Sequence, residues 1–125
     1  MMNGFIVKAK LPSLNEYIAA CNANRYRGGR FKQDIEEVIG WGIKQAISAG
    51  KLKRMEDPII VHFVWHEKTK RRDADNIASA KKYILDAMQT YKVSPNDNRK
   101  HVKGFTDVIV DDTEDFVEVE LEAVK

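Results

Sequence analysis

One cysteine, Cys21, cannot close an internal disulfide, so the disulfide-stapled folds of small secreted domains are excluded. No apolar run approaches the roughly 20 residues that a membrane-spanning helix needs. The opening stretch MMNGFIVKAKLPS has neither the apolar segment nor the cleavage site of a secretory signal. These absences predict a cytoplasmic protein with no membrane partner. Internal repeats and low-complexity tracts are missing as well, which excludes a repeat array. What is present is a chain of 125 residues, 43% apolar and 32% charged. That is enough for one domain with a hydrophobic core, spanning 1–125, and too little for two.

Net charge is small, +2, but unevenly distributed. Residues 1–110 hold 20 Lys and Arg against 12 Asp and Glu, whereas residues 111–125 hold one Lys against seven Asp and Glu. A basic body with its acidic balance collected at one end suits a polyanionic partner. The plainer reading is a solvated surface next to a charged strand edge.

Periodicity divides the chain into six elements. GFIVKAKLP alternates Phe5, Val7, Ala9 and Leu11 and predicts a strand ending at Pro12. SLNEYIAACNANRYRGGRFKQ, rich in Asn, Gly and Arg, reads as a loop with a helical turn in its first part. From about Gln33 to Ala49, Ile35, Val38, Ile39, Ile43, Ala46 and Ile47 recur at three and four, the stripe of an amphipathic helix closed by Gly50. DPIIVHFVWHE is continuously apolar and β-branched, as in a central strand buried on both faces. A second helix follows, with Ile77, Ala80, Ile84, Leu85 and Met88 inward. KHVKGFTDVIV and FVEVELEAV then predict two strands joined as a hairpin through DDTED. The order is β-α-β-α-β-β, an α+β (mixed α/β) domain. Trp41 and Trp65 are assigned to the core.

The chemistry concentrates in RRDADN. Asp73 and Asp75 stand where the central strand hands over to the second helix, and residues i and i+2 of an extended segment point the same way. Two carboxylates aimed at one point repel unless something positive lies between them. Helix amides and arginines ease the repulsion, and a hard cation with oxygen ligands eases it more. Down the helix, the Asp75 line continues at four and seven residues, through Ser79 to Lys82, with Lys81 less well aligned. A third carboxylate, Asp97 in SPNDN, lies beyond a helix of about 24 Å. It joins the others through a chain reversal or through a dimer that composes each site from two chains, and the sequence leaves both open. Plain N-capping explains one of the two acids but not both. Together with Lys82, the pattern points to a metal-assisted phosphodiester site. His62 and His66 would stand about 13 Å apart on a strand, too far for one ion, and are read as strand surface. DADN lacks the remaining positions of a calcium loop. Cys21 has no catalytic context, and Tyr26 among arginines is either a packed loop tyrosine or a base-stacking platform.

RRDADNIASAKKYILDAM followed by SPND resembles the signature of RusA-type Holliday junction resolvases: basic residues, D-x-D-N, a helix carrying a lysine, D-A-[LM], then an aspartate. LPSLNEY and NRYRGGRFK resemble the family's early strand with its Pro/Ser/Asn segment and its basic loop. The resemblance implies a RusA-like homodimer that binds a four-way DNA junction and nicks two strands symmetrically, in recombination and repair. It further implies Mg²⁺, with Mn²⁺ as a substitute, on Asp73, Asp75 and Asp97, and no small-molecule cofactor. Lys82 stands four residues before Asp86, as the family's lysine does before its helical aspartate. The spacing from D-x-D-N is longer than in the family, and a forward count falls on Ser79. Arg25, Arg27, Arg30, Lys32, Lys70, Arg71, Arg72, Arg99 and Lys100 are then expected on backbone phosphates. Such proteins are often carried by phages and prophages. The competing expectations are a non-catalytic DNA-binding module of the same fold and a nuclease for other branched DNA.

Overall fold

The computed structural model describes residues 3–69, 72–95 and 100–124. Four strands, β1 (Asn3–Val7), β2 (Ile59–Glu67), β3 (Val102–Asp111) and β4 (Phe116–Ala123), form one mixed sheet in the order β1-β4-β2-β3. β2 pairs antiparallel with β4 and parallel with β3, and β1 pairs antiparallel with β4. Period-two alternation sorts their side chains. Phe5 and Val7, then Ile59, Val61, Phe63 and Trp65, then Val117, Val119 and Leu121, lie buried on one face. Burying a large apolar side chain of this kind contributes about 1.5–3 kcal/mol. The helices cover this face and leave the other open, so the domain is α+β with two layers.

Helices α1 (Leu14–Ala23) and α2 (Arg25–Ser48) follow β1, while α3 (Ala74–Ala78) and α4 (Lys81–Thr90) make the crossover from β2 to β3. A parallel pair requires such a crossover. Ile77, Ala80, Ile84, Leu85 and Met88 are buried as the periodicity predicts. α2 ends as expected: Gly50, at φ 72°, donates to the Ile47 carbonyl, and Lys51 donates to Ala46. A positive φ is comfortable only without a Cβ.

Several expectations are corrected. The segment read as a loop is two helices, separated by Asn24 alone. Asn24 is extended (φ −169°, ψ 159°), and its side-chain oxygen accepts from the Arg27 amide at 2.7 Å. The order is therefore β-α-α-β-α-α-β-β. The first strand stops at Val7 rather than Leu11, although Leu11 remains buried. β2 is buried on one face only; His62, Val64 and His66 are half-buried on the open face. β3 and β4 are not a hairpin, because β2 lies between them. β2 is the most apolar strand and needs hydrogen-bonding neighbours on both sides. Trp41 is 68% exposed, and Val38 and Ile47 are also on the surface. α2 packs through Ile35, Ile39, Ile43 and Ala46 instead. No described helix is long and apolar enough to cross a membrane.

Candidate functional site

The candidate site begins at Glu67, the last residue of β2. It shares the parity of Phe63 and Trp65 and is 5% exposed, and a carboxylate there requires a partner. Arg72 supplies one. Its Nε and Nη2 donate to the Glu67 carboxylate at 3.1–3.2 Å, and its Nη1 donates to the Leu11 carbonyl at 3.1 Å. This fork closes the chain after β2 back onto the strand end and onto the segment following β1. Arg72 is thus turned inward rather than offered to solvent.

Asp73 comes directly after this clamp. It holds the N-cap position of α3 with extended backbone (φ −72°, ψ 155°), yet its side chain accepts no capping bond. A capping aspartate normally takes an amide of the first turn. Asp75 sits in that turn, and both side chains are exposed. Capping therefore explains neither acid. Two such carboxylates are the oxygen donors that Mg²⁺ takes, one or two at a time, with water and substrate phosphate completing its shell. The donor set fits the ion.

Asp97, Lys70, Arg71 and Arg99 lie outside the described residues. Residues close to Asp97 on either side are tied to the far end of β2. The Val93 carbonyl accepts from the Met55 amide, and the His101 carbonyl accepts from the Ile59 amide, both at 2.8 Å. Nine residues of β2, about 26 Å, separate that end from the Asp73 loop. Among the described residues no three His, Cys, Asp or Glu side chains converge.

The single second helix expected from the stripe Ile77 to Met88 is interrupted at Ser79 and Ala80, so no one helix face carries the line from Asp75 to Lys82. Ser79 is built into the frame: its Oγ accepts from the Leu14 amide at 3.1 Å and donates to the Asn76 carbonyl at 2.7 Å. Lys82 lies on the α2 side, 3.1 Å from Asp86, which also meets Lys32 at 3.5 Å. Lys81 crosses to the sheet instead. Its Nζ lies 2.5 Å from Asp107 and over the rings of Phe63 and Phe105.

The basic residues divide similarly. Arg25, Arg27 and Arg30 stand on the first turns of α2, all exposed, with Arg30 3.3 Å from Asp34. At about 100° per residue, Tyr26, Arg27 and Arg30 share a face turned away from buried Gly28. Tyr26 is 78% exposed, and Lys100 is exposed at the other end of β2. His62 and His66 serve different partners on the open face. His62 lies against Thr106 and Glu122, and His66 against Asp112 and Glu118.

Sequence reasoning missed the Glu67–Arg72 clamp and the Lys81–Asp107 pair. Strand parity places Glu67 with Trp65 and could have revealed the first; nothing local marks the second. Fold and site together define an α+β domain whose central strand runs into a clamped loop bearing two adjacent, exposed carboxylates. No family model and no curated protein matches the chain.

Proposed function

We propose that the chain is a divalent-metal-dependent endonuclease for branched DNA, of the RusA type, which cuts four-way junctions by paired nicks as a homodimer. The observation that carries this reading is the pair Asp73 and Asp75: adjacent, exposed, not used for capping, and positioned by the Arg72 clamp. Asp97 completes the acid set. Because its described neighbours belong to the opposite end of β2, the reading favours a site composed from two chains.

Asp73 and Asp75 hold Mg²⁺ or Mn²⁺, which when bound supplies a water of lowered pKa and positive charge against the scissile phosphate. Arg72 keeps the loop from yielding to the repulsion between the acids. Arg27 and Arg30 take backbone phosphates, which gives affinity without base reading, and Tyr26 on the same face offers a stacking surface. Lys82 pairs with a phosphate oxygen once it leaves Asp86. Products carry 5′-phosphate and 3′-hydroxyl ends.

The test is a synthetic four-way junction incubated with protein in Mg²⁺, in Mn²⁺ and in chelator. The expected result is symmetric nicking with metal only, with Asp75→Asn binding the junction but no longer cutting it. Lys82→Ala and Lys81→Ala, run in parallel, separate the two lysines. A non-catalytic DNA-binding module is the second reading, favoured by the exposed basic face of Arg27 and Arg30, which needs no metal to hold phosphates. Binding without cutting in either metal establishes it and ends the first. A panel of flaps and forks distinguishes a nuclease for other branched DNA.

A further inference from the structure

The sheet has two edges, and they are treated differently. Along β1 the edge is closed: the Gly4 amide donates to the Lys51 carbonyl at 3.0 Å, and Asn3 exchanges hydrogen bonds with the Lys53 backbone. Among the described residues no strand pairs with the outer edge of β3, a strand of ten residues. Phe105 and Val108 on it are 43% and 54% exposed. A long bare row of backbone donors and acceptors is a template for another strand. The charges along this stretch are sorted by sign: Lys100, His101 and Lys103 at its start, Asp111 and Asp112 at its end. Such a strand complements a second copy of itself when the copy is turned end for end.

We propose that β3 pairs antiparallel with β3 of a second copy, about a two-fold axis at Asp107, to give one continuous sheet. This interface specifies the dimer proposed above. An isologous contact repeats each pair twice. The register sets Phe105 against Ile109 of the partner subunit and, just beyond the irregularity of β3 at Lys103, brings Lys103 alongside Asp111 of the partner subunit. It also places Thr106 against Val108 of the partner subunit. Asp107 meets its own copy at the axis, where each carboxylate is already held by Lys81 Nζ at 2.5 Å and Trp65 Nε1 at 2.9 Å. The pairing carries the start of one β3 to the carboxyl end of the other copy's β2 and β3, the end from which the loop bearing Asp73 and Asp75 departs. That consequence rests on the nuclease reading, whereas the pairing does not.

The test is sedimentation equilibrium without DNA, on protein checked for folding by circular dichroism. Lys103→Glu and Asp111→Lys each turn two attractions into repulsions and are expected to weaken dimerisation about tenfold or more. The double variant, with the charges exchanged, is expected to recover most of the loss. Independently of any substitution, amides of 102–111 should gain protection from hydrogen exchange as protein concentration rises. A wild type that stays monomeric at micromolar concentrations overturns the interface. So does a dimer indifferent to both single substitutions, or a β3 edge whose exchange ignores concentration. Junction cutting that persists beside those failures discards only this interface. A charge-swap rescue in a protein that never cuts keeps the interface and discards the nuclease.

Discussion

Removing the guanidinium of Arg72 leaves Glu67 as a carboxylate that is 5% exposed with its main partner gone. Breaking one side of a buried pair typically costs about 3 kcal/mol or more. Arg72→Ala should therefore lower the unfolding free energy measured in urea by about that much, and adding Glu67→Gln should restore part of it. Asp112 makes a smaller, pH-dependent contribution. The Thr113 backbone amide first, and then the bond to His66, hold its carboxyl below the ordinary 3.8. The folded state thus takes up this proton less readily than the unfolded one. The associated stability is complete above the ordinary value and lost as pH falls through the depressed one. Asp112→Asn should show a smaller drop in melting temperature between about pH 6 and about pH 3 than the wild type, read by calorimetry. Parallel curves would remove Asp112 from this role. The candidate acids Asp73 and Asp75 were legible from their spacing, because the pairing of like charges is itself a local signal. Arg72 looked like one more basic residue, since its inward turn depends on a buried partner five positions away.

The joint between α1 and α2 is one residue wide, and it explains why the first half of α2, and all but a turn of α1, escaped a reading by composition. Ser13 caps α1 by accepting from the Glu16 amide at 3.3 Å, the Ser-x-x-Glu signature of a helix start. Asn24 does the same for α2. Those capping signals were present, but the Asn, Gly and Arg around them resemble a loop. Losing the Asn24 oxygen in Asn24→Ala should cost about 1 kcal/mol. Gly28 lets the two helices close together: a Cβ there would stand 2.5 Å from Cys21 Sγ and 2.9 Å from its Cα. Gly28→Ala should cost about 1–3 kcal/mol from overpacking, partly relieved by Cys21→Ala, both read from chemical unfolding. By contrast, the second half of α2 and the stripe from Ile77 to Met88 were readable because their apolar spacing matches the helical period. Trp41 was misplaced because a large apolar residue near a helical stripe looks like core until the stripe's centre is known.

At the scale of the molecule, the basic start of α2 and the acidic end of the chain occupy separate elements. On the proposed function, Arg27→Ala should weaken binding to all DNA sequences alike. It should also reduce the slope of log affinity against log salt by about one, measured by fluorescence anisotropy across a salt series. A slope that does not move would place the DNA elsewhere. Alternation and helical period are properties of a few neighbouring residues, so the strands, the buried stripes and the paired carboxylates could be read from the chain as written. Strand order could not. The four residues between β3 and β4 suggest a hairpin, yet β2 takes the place between them, because the strand richest in apolar side chains is best satisfied with neighbours on both edges. Which lysine turns to the sheet, which arginine turns inward, and how far Asp97's neighbours stand from Asp73 all follow from that arrangement. Each depends on burial shared across the whole core, which no short stretch of sequence encodes by itself.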